Sequence, residues 1–202
     1  MRSLHGKGQR RTGIGRTISL ALCMTAFGLA EQPWEKPFVA WTKDDASRIL
    51  TRSPWAKPTA THDRSGTQQI VVRWEDALPI RQALGKMGLE PAPSNRAFYA
   101  VAVVLRPGDG HHDWSASRAS LRTSGRTASV SSDVRTKTLA DGTQRVIFWF
   151  PRTLDIGEPR SFRLPFLIVH SRAIEFEVRA DSLEIRQSFP LQDLFYLGNF
   201  EL

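Results

Sequence analysis

Apolar residues recur along this chain at helical spacing early and at strand spacing late. Thr42-Lys43-Asp44-Asp45 opens a helix, because Thr42 suits the cap and the two acids suit the positive helix start. Trp41, Ile49 and Leu50 supply its apolar contacts, and Ser53-Pro54 stops it. A strand is predicted over 69–74, rich in β-branched residues. A second helix is predicted over 76–87, where Ala77, Ile80, Ala83, Leu84 and Met87 form an apolar stripe and Pro79 fits the first turn. After a connecting loop over 88–95, residues 98–105 are almost continuously apolar and predict a strand covered on both faces. Strand, helix, strand in this order predicts a parallel unit. Further strands are predicted over 145–150, 162–170, 174–179 and 183–189.

The remaining segments are less periodic. Pro33 and Pro37 predict an extended lead-in over 31–39. Residues 57–66 read as a polar loop, 107–110 as a turn and 112–122 as a short helix. Nine of the 19 residues from Ser115 to Asp133 are Ser or Thr, which predicts a solvated surface segment. A tail carrying Phe195, Tyr196, Leu197, Phe200 and Leu202 is expected to dock on the core. Together these elements predict an α+β fold: a single domain with early helices and a mainly antiparallel sheet in the C-terminal half.

The first 30 residues stand apart. They carry Arg2, Lys7, Arg10, Arg11 and Arg16, no acid, a short apolar stretch over 18–29, and the small-residue ending Gly28-Leu29-Ala30. That is the pattern of a secretory signal, with cleavage expected after Ala30 and a secreted or periplasmic product. The organisation is therefore a signal peptide over 1–30 and one globular α+β domain over 31–202. Arg10-Arg11 lacks the apolar residues expected after a twin-arginine pair, and Leu22 is too bulky for a lipid-attachment site at Cys23. Without the leader the chain has 23 basic and 20 acidic residues, so its net charge drops from +8 to +3. A nucleic-acid partner loses its electrostatic support. The single cysteine, Cys23, leaves with the leader, so no internal disulfide framework is expected. Hydrophobic residues make up 41% and charged residues 24%, the balance of a chain with an ordinary core.

Candidate chemistry is sparse. His111, His112 and Asp113 are residue types that ligate metal, and His62-Asp63 or His170 would be needed to complete a site. Neighbouring histidines diverge on a strand or helix, so the spacing is not one that metal sites need. Carboxylates for glycoside chemistry are present at Glu75-Asp76, Glu175, Glu177, Glu184 and Glu201. Glu175 and Glu177 alternate with Ile174, Phe176 and Val178, which a half-buried strand explains without catalysis. No Gly-x-Ser-x-Gly, Ser-x-x-Lys or phosphate-loop spacing occurs in 31–202, and no cofactor is implied. Trp34, Trp41 and Trp55 are candidate binding residues, since exposed aromatics stack on sugars or partner proteins; the favoured alternative is that they plug the core where the N-terminal segment wraps the sheet. A basic segment over 115–152 holds seven Arg and Lys residues against two acids and reads as a solvated face.

Several segments carry a resemblance: Trp41, Ser53-Pro54-Trp55-Ala56, the run Val72-Arg73-Trp74-Glu75-Asp76-Ala77-Leu78-Pro79-Ile80-Arg81, Phe148-Trp149-Phe150-Pro151-Arg152, and the ending Gly198-Asn199-Phe200-Glu201-Leu202. In these pieces the chain resembles a group of uncharacterised secreted bacterial proteins. The resemblance implies export and one domain, and it carries no catalytic residue. The expected function is a non-enzymatic binding or interaction domain of the cell envelope, with an envelope protein or polysaccharide as partner. The alternative is an exported metal-dependent hydrolase using His111, His112 and Asp113.

Overall fold

The computed structural model describes residues 31–63, 66–93, 95–108, 112–115, 117–123, 129–156, 162–165, 172–181 and 183–202. Residues 1–30, expected to be a signal peptide and carrying Cys23, lie outside these residues, as do His111 and His170. Residues 31–202 form one compact unit, and among the described residues it has two α-helices, α1 (Lys43–Thr51) and α2 (Leu78–Lys86). Its strands are β1 (Ala56–Asp63), β2 (Gly66–Trp74), β3 (Phe98–Leu105), β4 (Arg118–Thr123), β5 (Ser129–Val130), β6 (Asp133–Thr138) and β7 (Gln144–Pro151). Beyond them come β8 (Thr153–Ile156), β9 (Phe162–Pro165), β10 (Ala173–Ala180), β11 (Leu183–Pro190), β12 (Phe195–Tyr196) and β13 (Asn199–Phe200). The class is α+β, and every described strand pairing is antiparallel. Among the described residues no helix is long and apolar enough to cross a membrane.

Two sheets carry the core. The larger has the order β1-β2-β3-β7-β6 and the smaller β11-β10-β4-β5. Alternation aims Ile70, Val72 and Trp74 of β2, Val101 and Val103 of β3, and Phe148 and Phe150 of β7 inward. They meet Phe176 and Phe189 of the smaller sheet: Phe176 lies 5.9 Å from Phe148 and 6.2 Å from Phe150, and Phe189 lies 5.8 Å from Trp74. These edge-on and tilted ring pairs add to the burial of large apolar surfaces. The larger sheet is also covered on its other face, where Ala92, Ala100, Ala102, Ile147 and Trp149 form a second, smaller core. That double cover accounts for the unbroken apolar run of β3.

Local chemistry sets the helix ends. Thr42 Oγ1 accepts from the Asp45 N–H at 3.0 Å, and Asp45 accepts from the Thr42 N–H at 3.0 Å, a reciprocal capping box. The Thr42 backbone N–H holds the Asp45 carboxyl below its usual range. After α1, the Ser53 N–H donates to the Ala56 carbonyl at 2.9 Å, so Ser53-Pro54-Trp55-Ala56 is a tight turn that buries Trp55. Helix α2 ends at Gly88, whose φ of +72° suits glycine, with the Leu89 N–H donating to the Leu84 carbonyl at 2.9 Å.

The structure corrects several expectations. The predicted parallel unit is absent, because β2 and β3 pair antiparallel. Helix α2 is about 14 Å long, and after Gly88 the chain returns toward β3 as a strap whose described residues are 89–93 and 95–97. It re-enters the sheet where it left, so the Glu75 N–H donates to the Ala100 carbonyl at 2.8 Å. Residues 57–63 are strand rather than loop. Their polar residues sit on an edge strand, where Pro58 costs no ladder bond and Thr61 Oγ1 donates to the Glu184 carbonyl at 3.1 Å. The lead-in contains two 3-10 turns, Pro33–Glu35 and Phe38–Ala40, in place of extended chain. The helix expected over 112–122 is replaced by β4, since Ala119, Leu121 and Thr123 point inward at period two. Strands β4 and β5 of the Ser- and Thr-rich segment are accordingly part of the smaller sheet, with Thr123 and Ser129 buried. Strand β9 ends at Pro165, and residues 166–170 of the predicted strand lie outside the described residues.

Candidate functional site

Arg73 and Glu75 of the Arg73–Arg81 run lie at the outer face of the larger sheet, while Trp74, Ala77 and Ile80 pack in the main core. Glu75 is fully buried between two arginines. Arg73 Nε donates to Glu75 Oε1 at 2.6 Å, and Arg145 donates to Oε1 at 3.1 Å and to Oε2 at 2.5 Å. Ala100 and Ala102, both fully buried, leave room above the sheet for these long side chains. Arg145 also donates to the Glu90 carbonyl at 2.6 Å, and Arg81 donates to the Ala92 carbonyl at 3.0 Å. The ion cluster thus pins the strap to the sheet.

Asp76 lies next to this cluster and faces Arg152 of the Phe148–Arg152 segment at 2.7 Å. Arg152 stacks over the Tyr99 ring at 4.2 Å and donates to the Phe98 carbonyl at 3.0 Å. Burial raises the Asp76 carboxyl to about 6, against the opposing pull of Arg152 and the Ala100 and Asp76 backbone N–H groups. Burial raises the Tyr99 phenol as well. Both carboxylates of Glu75-Asp76 are therefore engaged with guanidinium groups that hold strands and strap together.

The other sequence candidates are dispersed. His112 is buried with its ring 6.0 Å from Trp114, and Asp113 accepts from the Ser115 N–H at 2.9 Å. The side chains of His62 and Asp63 lie outside the described set. Among the described residues no three His, Cys, Asp or Glu side chains group as a metal site would need. Glu175 and Glu177 share the outer face of β10, where Glu177 lies 3.4 Å from Arg186, 3.5 Å from Arg179 and 3.9 Å from Arg122. The basic segment splits: Arg118 and Arg122 are on β4, Arg135 and Lys137 on β6, and Arg145 and Arg152 within the ion cluster.

Trp34, Trp41 and Trp55 are brought together, but as packing. Trp41 and Trp55 are in the core, 6.2 Å and 6.1 Å from Tyr196, and Trp34 meets Trp55 edge-on at 6.5 Å. Tyr196 belongs to the C-terminal hairpin β12–β13, and the tail docks through this ring together with Leu194 and Leu202. The opposite face of the hairpin is open. Phe195 and Phe200 pair across it at 5.5 Å and are 51% and 41% exposed. Leu197 at its tip is 67% exposed and has φ of +49°, followed by Gly198 at +82°. A two-residue turn with both φ positive favours Asn-Gly, and leucine there is strained by about 1–2 kcal/mol. Further apolar side chains are exposed nearby in the fold. Phe38 meets Trp41 edge-on at 5.4 Å, and Leu78 supplies a backbone N–H to the Glu201 carboxyl, which burial raises. The sequence marks the tail as apolar but not which face is exposed, because two-residue strands carry too short an alternation.

Comparison with family models, with curated proteins and with solved structures finds no match to this chain.

Proposed function

We propose that this chain is an exported, non-enzymatic interaction domain of the cell envelope, secreted or periplasmic, whose contact surface is the C-terminal hairpin. Leu197 carries the reading. An exposed leucine in a strained left-handed position neither packs the core nor suits its turn, and such strain persists where a contact uses it. Phe195 and Phe200 beside it enlarge the apolar surface on which a partner would rest. The leader pattern over 1–30 and the resemblance to secreted bacterial proteins support export. A protein partner of the envelope fits this surface better than a polyanion, since the hairpin offers rings and a leucine and no basic residue.

The test is cross-linking in intact envelope followed by mass spectrometry, which also reports the mature N-terminus. Leu197→Asn is expected to raise stability by about 1 kcal/mol and to remove the cross-linked partner. Phe195→Ser with Phe200→Ser is expected to remove it too. An unchanged partner set in both variants would refute the hairpin surface. A protein recovered with residues 1–30 still attached would refute the export route.

A further inference from the structure

A recess of about 210 Å³ opens on the outer face of the larger sheet, lined by Pro93, Asn95, Phe98, Ser132, Asp133, Arg135 and Trp149. It is built from residues that the hairpin surface does not use. Its apolar part is Pro93, the Phe98 ring and the Trp149 indole. Trp149 is only 7% exposed, and its indole N–H has no acceptor among the described residues.

The rim is saturated on one side of each polar group and open on the other. Asn95 accepts from the Ala97 N–H at 2.9 Å through its carbonyl, which leaves its NH₂ to donate. Ser132 donates its hydroxyl to the Trp149 carbonyl at 3.2 Å, which leaves its lone pairs to accept. Arg135 Nε donates to one oxygen of Asp133 at 3.0 Å, so the pair is neutral yet retains guanidinium donors and a second carboxylate oxygen. An anion would meet Asp133 and a cation would meet Arg135. A purely apolar ligand would leave the rim donors and acceptors unanswered.

The chemistry that matches is an uncharged ring with an apolar face and several hydroxyls, each both donor and acceptor. The volume is below the roughly 300–1,000 Å³ of drug-sized sites, so one ring fills it. We propose that this recess binds a single sugar ring, either a free monosaccharide or the terminal residue of a polysaccharide. The wall formed by Pro93 and Asn95 continues the strap that Arg81 and Arg145 hold down, so the ion cluster keeps the recess open.

Saturation-transfer NMR on the purified protein tests this, with glucose, galactose, mannose and N-acetylglucosamine as probes and their short oligomers as a second series. At least one sugar is expected to bind saturably. Asn95→Ala should weaken it tenfold or more at unchanged melting temperature, and Trp149→Phe tenfold or more in the folded variant despite its lower stability, while Arg186→Ala on the smaller sheet should not. Because Asn95 is exposed, its variant reports even where Trp149→Phe fails to fold. Oligomers that bind more tightly than the monomer would assign a polysaccharide end, and equal affinities a free sugar. Binding of benzoate or cyclohexanol in the recess, with no sugar binding, would overturn the ligand class. No signal from any probe would overturn the site. Neither result touches the hairpin reading, which the cross-linking variants decide.

Discussion

Glu75 is the residue on which the outer face of the larger sheet depends. Its carboxylate lies between Arg73 and Arg145 with essentially no exposure. The pair of ion bridges is not a large net source of stability, because desolvating three charges offsets their attraction. Breaking it is another matter. Glu75→Gln leaves two buried guanidinium groups short of a counter-charge, and urea denaturation is expected to show a loss of about 3–5 kcal/mol. Asp76 behaves differently, since its folded carboxyl titrates at about 6, above its ordinary value of 3.8. Between those values the folded state holds the proton more tightly than the unfolded chain, so this group's contribution to stability falls as pH rises from about 4 to 6. Asp76→Asn has no such titration. Urea midpoints at pH 4, 5, 6 and 7 should show the wild type losing ground to the variant across that range. A difference that is flat or moves the other way would contradict the assignment.

At the scale of elements, the helices are held by their ends as much as by their faces. Helix α1 has nine residues, too few to persist alone, and it relies on the capping box and on burying Ala46, Ile49 and Leu50. Thr42→Ala removes the acceptor for the Asp45 N–H and is expected to cost about 1 kcal/mol, measured as a shift in urea midpoint. Strand β1 shows the converse. Its composition is that of a loop, yet it pairs with β2 along its whole length, from Ala56 opposite Arg73 to Asp63 opposite Gly66. A neighbouring strand with unpaired backbone groups is enough to order a polar edge segment.

The described residues of 31–202 include two larger antiparallel sheets, the β8–β9 pair, two helices packed on each other and a hairpin locked onto the aromatic cluster. Tyr196 seals Trp41 and Trp55 from water, although it lies more than 140 residues away from either. Ending the chain after Leu194 would uncover both indoles. The shortened protein is expected to lose about 3 kcal/mol and to shift its tryptophan emission to longer wavelength. An unchanged spectrum would mean that the hairpin does not cover the cluster.

Much of this is legible in the amino-acid pattern alone. The helix around Ile49 and the strand at 98–105 follow from local pattern, because caps, breakers and apolar runs act within a few residues. So do Pro79 in the first turn of α2 and the alternation of β10. The single α+β domain follows from the order of those elements. What tertiary structure alone decided depends on pairs far apart in sequence. The antiparallel return after α2 rests on Gly88 and on arginines reaching the strap. The fate of Trp41 and Trp55 rests on Tyr196. The recess exists because β6, β7 and the strap bring Asp133, Trp149 and Asn95 to one place. The ion cluster joins Glu75 to Arg145 across 70 residues, a distance over which neither charge nor period in the sequence carries information.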